Sequence, residues 1–340
     1  MKVFIETFIK TLAFLLSLAV SITIIVTLVN FTKNQEVSNF SFLKGNEDST
    51  QIVAILRISG PIISEPSKIS SYDVFNSLES IYPSLIEDYL SELKAQDIKG
   101  LVVSINSPGG SVSATKTIYD KFSKFKEEKN IPIYFHSSDV LASGGYWISL
   151  AGDKIFTNYG AIIGSIGVKG PDWIYFNNPT SISNGIFGNY VESKNGIKLF
   201  SNSAGLSKDI YNPFRKPTEN EIILLNEMVT DIYETFVNLV ASARKIEKNI
   251  IKKQIGAMIY NTNQAKKKFL IDDVKTLDEV INLLKKNIQL EQVKIIINKK
   301  TDQYNFFNLS YDNLINKNLI DNYEYIIKGK FCNNYLNELS

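Results

Sequence analysis

Thr11 to Thr32 carries no charged residue. A helix over it, rising about 1.5 Å per residue, is about 33 Å long and matches the hydrocarbon thickness of a bilayer. The pattern predicts one N-terminal transmembrane helix within residues 1–32. Leu28 to Thr32 offers no small-x-small cleavage site, so the span reads as an uncleaved signal anchor. Lys2, Lys10 and the free amine outweigh Glu6 before the span, while Lys33 and Glu36 cancel after it. That bias places the rest of the chain outside the cytoplasm. From residue 33 to residue 50 the apolar period gives way to Asn, Ser, Glu and Lys, the composition of a solvated linker.

Beyond the linker the apolar runs shorten and begin to alternate with helical spacing. Gln51 to Gly60 is a buried-type strand that ends in a Gly-Pro turn, and Leu85 to Gln96 has helical spacing. Lys99 to Asn106 is a second strand, Val112 to Lys129 a helix and Ile131 to Phe135 a third strand. Leu141 to Leu150 reads as a helix opened by a turn at Ser143, and Lys154 to Thr157 as a further short strand. This rhythm predicts an α/β fold: a mainly parallel sheet with helical crossovers, preceded by the transmembrane helix. Gly160 to Val168 reads as a close-packed glycine turn, and Tyr190 to Ser193 as extended. Thr218 to Glu221 is a capping box that opens a long amphipathic helix to about Arg244. Gln264 to Phe269 and Leu277 to Lys286 are shorter helices. The catalytic domain is drawn at 51–288. Residues 289–340, rich in Asn, Lys, Tyr and Ile with a strand-like Val293 to Ile297, form a C-terminal appendage of no evident chemistry.

Composition narrows the chemistry by what it lacks. Lys and Arg number 37 against 35 acids, a net charge of +2, which gives no nucleic-acid footprint. One cysteine, Cys332, excludes an intrachain disulfide, and one histidine, His136, excludes a zinc site of the usual kind. No metal and no cofactor is expected. The candidate chemistry is Ala142-Ser143-Gly144-Gly145-Tyr146-Trp147, where small residues around a serine allow the tight bend that presents a nucleophilic hydroxyl. Pro108-Gly109-Gly110 and Ser143-Gly144-Gly145 both fall between a strand and a helix. Their amides would favour a developing oxyanion. The serine needs a base. His136 reads as a surface or strand-cap residue, and a lysine would serve only if its ordinary pKa of about 10.4 fell toward about 7–8. Periodicity singles out no particular lysine.

Five ordered motifs carry a resemblance. They are Asn106 to Ser111, Ala142 to Tyr146, Ala151 to Ile155, Gly160 to Val168, and Ser207-Lys208-Asp209 with Asn212 to Arg215; Tyr260 to Ala265 adds to them. Over about residues 51–285 the chain resembles the signal peptide peptidase A family of membrane-anchored serine proteases, which use a Ser–Lys dyad on a ClpP/crotonase-like fold. The resemblance implies Ser143 as nucleophile, Lys208 as general base and Ser165 as the hydroxyl that orients the lysine. It implies the amides of Gly109, Gly110, Ser143 and Gly144 in the oxyanion region, with Tyr146 and Trp147 lining an apolar substrate groove that helps keep Lys208 neutral. Peptide substrates, signal-peptide fragments among them, follow from it, as does a homo-oligomer whose neighbours complete the site. A bacterial inner-membrane location with the catalytic domain on the periplasmic side also follows. Two other readings stand beside it: a catalytically silent relative acting as a membrane scaffold, and a crotonase-like acyl-CoA enzyme.

Overall fold

A computed structural model describes residues 2–33, 38–66, 79–176, 183–185, 188–190 and 204–299. The appendage beyond residue 299 and the extended reading beyond Tyr190 lie outside the described residues. In chain order the elements begin with α1 (Lys2–Lys33), β1 (Phe40–Gly45), β2 (Ile52–Ser59), α2 (Pro83–Lys94), β3 (Ile98–Asn106), α3 (Val112–Lys129) and β4 (Ile133–Ser137). They continue with β5 (Val140–Ala142), α4 (Gly144–Ser149), β6 (Lys154–Thr157), β7 (Ile162–Gly164), β8 (Ser183–Gly185), β9 (Gly188–Tyr190) and α5 (Glu219–Arg244). A short α6 (Lys248–Ile250) runs into a π-helical turn, followed by β10 (Ile259–Asn261), α7 (Thr262–Lys267), β11 (Asp273–Val274), α8 (Leu277–Asn287) and β12 (Lys294–Asn298).

The central sheet has the order β1-β12-β2-β3-β4-β6-β11, and every neighbouring pair except β1–β12 is parallel. Parallel neighbours need crossovers: α2 joins β2 to β3 and α3 joins β3 to β4, while α8 carries the chain back across the sheet from β11 to β12. Strand side chains alternate between faces. Ala54, Leu56, Ile58, Leu101, Val103, Ile133 and Phe135 therefore pack with α2 and α3, through Leu90, Leu93, Ile118, Phe122 and Phe125. Val53, Ile55, Val102, Tyr134 and Phe156 face the other way, onto Val280, Ile281 and Leu284 of α8. Helices cover both faces, which is why the strands read as unbroken apolar runs.

Two boundaries differ from the sequence reading. The middle of the expected linker is β1, which pairs with β12 from Phe40↔Asn298 to Gly45↔Lys294. β12 in turn lies parallel to β2 with Ile295↔Val53. The strand assigned to the appendage is thus an inner strand of the main sheet, and the domain runs from about residue 38 to Asn298. Pairing across so long a sequence separation leaves no local pattern to read. The second difference is a small sheet, β10-β7-β5, made of three-residue strands too short to register as apolar runs. It takes in the middle of the expected glycine turn and the first residues of the expected helix at Leu141. α4 itself starts only at Gly144.

α1 contains a window, Thr7–Ile24, of mean hydropathy 1.9 with none of it buried. It is the one helix among the described residues long and apolar enough to cross a membrane.

Candidate active site

Asn106 closes β3 and gathers the strand ends. Its Oδ1 accepts from Ser137 Oγ at 2.9 Å and from the amides of Ser138 and Asp139 at 3.0 and 2.9 Å. The next residue, Ser107, fixes β5: its N–H donates to the Val140 carbonyl at 2.8 Å, and its carbonyl accepts from Ala142 at 3.1 Å. Ser143 follows immediately, with φ 52° and ψ −123°, a region that a residue with a Cβ rarely occupies and that costs about 1–3 kcal/mol. α4 starts at the next residue. The strained strand-to-helix bend expected of a presented nucleophile is therefore present, and its cost is met by the tight packing around it. A Cβ at Gly109 would lie 2.7 Å from both Ser143 Cβ and the Gly144 nitrogen, and one at Gly144 would lie 2.4 Å from Thr115 Oγ1. Only glycine fits at either place.

The four amides of the expected oxyanion region divide evenly. Ser143 N–H donates to the Gly164 carbonyl at 2.9 Å, and Gly109 N–H donates to Ser107 Oγ at 3.2 Å. The N–H groups of Gly110 and Gly144 have no partner among the described residues, Gly144 because the first residue of a helix has none within it. Both glycines, with Ser143, Thr115, Trp147 and Val168, line a cleft of about 20 Å³. In its wall the Trp147 ring stacks on Phe236 of α5, centroids 4.7 Å apart, and its buried indole N–H has no partner among the described residues. A larger groove of about 320 Å³ lies between residues 168–173 and α5, lined by Trp173, Ile222, Leu225, Met228 and Val229. Val168 lines both.

Ser165 comes beside Ser143 through the sheet. Ala142 pairs with Gly164 at the ends of the parallel strands β5 and β7, so the two serines are the next residues of adjacent strands. Ser165 has φ 53°, and its N–H donates to the Met258 carbonyl at 2.8 Å.

Lys208 is placed differently. It sits on the turn 204–211, exposed, outside the lining of the Ser143 cleft, and its Nζ makes no hydrogen bond or ion pair among the described residues. The apolar enclosure expected around it is not formed by the described residues of this single chain. The turn itself is held by charge. Arg215 Nε and Nη2 donate to the Asp209 carboxylate, both at 2.8 Å, and Nη1 and Nη2 to Glu221 at 2.9 and 2.8 Å. The Arg215 guanidinium holds the Asp209 carboxyl down at about 2, and holds Glu221 well below the usual carboxylate range.

Tyr146 and His136 correct two sequence expectations. Tyr146 is fully buried and donates from its hydroxyl to the Leu270 carbonyl at 2.8 Å, and burial pushes that hydroxyl's pKa up. One residue along a helix turns the side chain by about 100°, so Trp147 meets the cleft and Tyr146 meets the core. His136 is 1% exposed rather than on the surface, with Nε2 3.2 Å from Asn158 Oδ1 and 3.1 Å from the Lys275 carbonyl. Burial pushes its pKa down, and it has no contact with Ser143 through which to act as its base.

The sequence model of Peptidase family S49 matches residues 125–291, the span that carries Ser143, Ser165 and Lys208, and a Clp protease model matches 76–156, which includes β3, α3 and β4. Over residues 125–291, just under half of its length, the chain is similar to peptidase family S49. Among similar proteins, the "Putative signal peptide peptidase SppA" of Enterococcus faecium is 32% identical over 62% of this chain and 58% of its own length. The "Putative protease MJ0651" of Methanocaldococcus jannaschii is 29% identical over 71% of this chain and 75% of its own. Protease 4 of Haemophilus influenzae is 25% identical over 56% of this chain and 29% of its own. This chain therefore spans little more than half the first of these relatives.

The sequence reading missed the parts played by two residues of its motifs. Ser107 Oγ occupies one expected oxyanion amide, and Arg215 braces the lysine turn. The Ser107 contact depends on a local backbone geometry that no spacing displays. Arg215 was visible within its motif, six residues from each acid, but Asp209 and Glu221 pair with it only once the turn and α5 are folded.

Proposed function

We propose that this chain is a membrane-anchored serine endopeptidase in which Ser143 is the nucleophile and Lys208 the general base. The uncharged Lys208 amine takes the Ser143 proton as the hydroxyl oxygen attacks a peptide carbonyl. The tetrahedral oxyanion receives hydrogen bonds from Gly110 and Gly144 N–H. Collapse breaks the C–N bond, and the leaving amine takes the proton from Lys208. Water then adds to the acyl-enzyme and gives its proton to Lys208; collapse breaks the bond between the acyl carbon and Ser143 Oγ, which takes the proton back from Lys208 as the acid leaves. Ser165, next to Ser143 on the adjoining strand end, orients the Lys208 amine.

The observation that carries this reading is the Ser143 bend, φ 52° and ψ −123°, beside two uncommitted amides at the mouth of an apolar cleft. The cleft and its neighbouring groove share Val168 and are walled by Trp147, Phe236, Leu225 and Met228, a surface suited to extended apolar peptides such as signal-peptide remnants. Such peptides are left in or near the bilayer, where α1 would hold the enzyme, with its domain on the extracytoplasmic side. The exposure of Lys208 in one chain fits a homo-oligomer in which a neighbouring copy covers the lysine turn. The test is labelling of the detergent-solubilised full chain with a fluorophosphonate, with the modified residue mapped by mass spectrometry. An adduct on Ser143 that is lost in Lys208→Ala supports the dyad. An adduct on Ser143 that forms equally fast without Lys208 removes the lysine from the mechanism.

A further inference from the structure

Arg215 and Glu221 together tie the two residues that flank Lys208 to the start of α5. Asp209, directly after the lysine, receives two hydrogen bonds from Arg215, and Glu221, the capping-box acid of α5, receives two more. Ser207, directly before the lysine, hydrogen-bonds the same Glu221 carboxylate. The guanidinium lies 5.0 Å from the Trp173 ring centroid, and the Trp173 indole N–H donates to the Asn212 carbonyl at 3.1 Å. Ser207 and Tyr211 hold φ 57° and 64°, so the turn has a defined, strained shape rather than a relaxed one. A planar fork that meets two carboxylates fixes direction as well as distance.

The far end of this brace reaches the nucleophile. Glu221 begins the helix whose Phe236 stacks on Trp147, and Trp147 N–H donates to the Ser143 carbonyl at 2.9 Å. Lys208 is thereby referenced to the element that Ser143 opens, through Asp209, Arg215, Glu221 and α5. Lys208 Nζ is meanwhile left without a partner among the described residues.

We propose that Arg215 is the positioning residue of the catalytic lysine: it acts on the reaction through the Lys208 turn and touches no reacting atom. This rests on Lys208 being the base. A lysine at 215 keeps the positive charge but is a single point donor that cannot hold Asp209 and Glu221 in two parallel pairs. A carboxamide at 209 keeps the shape but replaces one acceptor oxygen with an NH2 group and removes the negative charge, so one of the two parallel bonds from Arg215 is lost.

The experiment measures the rate of fluorophosphonate modification and peptide turnover for the full chain in detergent, with Arg215→Lys, Asp209→Asn, Lys208→Ala and the Lys208→Ala/Arg215→Lys double variant. Arg215→Lys and Asp209→Asn are each expected to slow modification at least ten-fold and to lower kcat with KM little changed. In the Lys208→Ala background Arg215→Lys is expected to add no further loss, because residues acting as one unit are not additive. Asp209→Asn keeps the helix cap intact and serves where Arg215→Lys lowers the yield of folded protein. A further loss in the double variant equal to that in the single one would overturn the positioning role, as would wild-type rates in both single variants while Lys208→Ala is inactive. Modification of Lys208→Ala at the wild-type rate would instead overturn the base assignment, and the positioning role with it.

Discussion

The Ser143 centre and the Lys208 turn are built by opposite means. Ser143 is fixed by the covalent chain and the core: β5 and β7 run into it, Gly109 and Gly144 leave no room for movement, and its amide is bonded across the small sheet. Lys208 rides on an exposed turn held by one guanidinium between two carboxylates and by ring contacts of Tyr211 with Trp173 and Phe214 with Phe176; Leu206, two residues before it, is fully exposed. The proposed nucleophile is therefore preorganised within one chain, while the proposed base depends on surface charge. Among the described residues the oxyanion and serine motifs fold into a closed site, whereas the lysine motif stands open.

The largest effect that would break this contrast is at the two functional groups. Ser143→Ala is expected to abolish turnover with unchanged thermal unfolding, and Lys208→Ala to lower kcat by roughly 10²–10⁴. The double variant should be little worse than either alone. Full activity in Lys208→Ala would leave the turn with no catalytic part. Gly109→Ala comes next: its Cβ would stand 2.7 Å from Ser143 Cβ at a φ of 98°. It should lose Ser143 labelling while soluble, folded protein is still recovered; normal labelling would show that the packing at the bend is slack. Tyr146→Phe leaves the buried Leu270 carbonyl unsatisfied. It should lower stability by about 1–3 kcal/mol in denaturant titration while the folded fraction keeps its labelling rate. Loss of activity without loss of stability would put Tyr146 back in the substrate groove.

The smallest effect sharpens the other half of the comparison. Asp209 is held at about 2 and Glu221 is also lowered, both chiefly by hydrogen bonds from Arg215. Folded values below the unfolded value of about 4 mean that the brace stabilises fully above about pH 4. That stabilisation fades as pH falls from there toward about 2. Proteolytic nicking at residues 204–216 should therefore begin in that window before the sheet unfolds, and Arg215→Lys should show it at higher pH. Simultaneous loss of both regions on acidification would deny the turn its separate stability.

The sheet was legible because its strands are buried on both faces and its crossovers carry helical spacing, as in Lys99 to Asn106 followed by Val112 to Lys129. β1 and the place of β12 were not, since Phe40↔Asn298 is a contact between the two ends of the domain. At the site, Ser143 and its glycines were readable as a bend that only small neighbours permit. Tyr146 was misassigned because sequence places it beside Trp147 while the helix turns them apart. The occupation of the Gly109 amide by Ser107 is a 3.2 Å hydrogen bond with no sequence signature.

The central claim is that the strained serine is made reactive by the lysine of a distant turn. The direct measurement is the fluorophosphonate rate constant at Ser143 from pH 6 to 10, in the full chain and in Lys208→Ala. A rate that climbs with pH as the amine loses its proton, and collapses without Lys208, is the expected result. A flat profile, or equal rates in the two proteins, would contradict it.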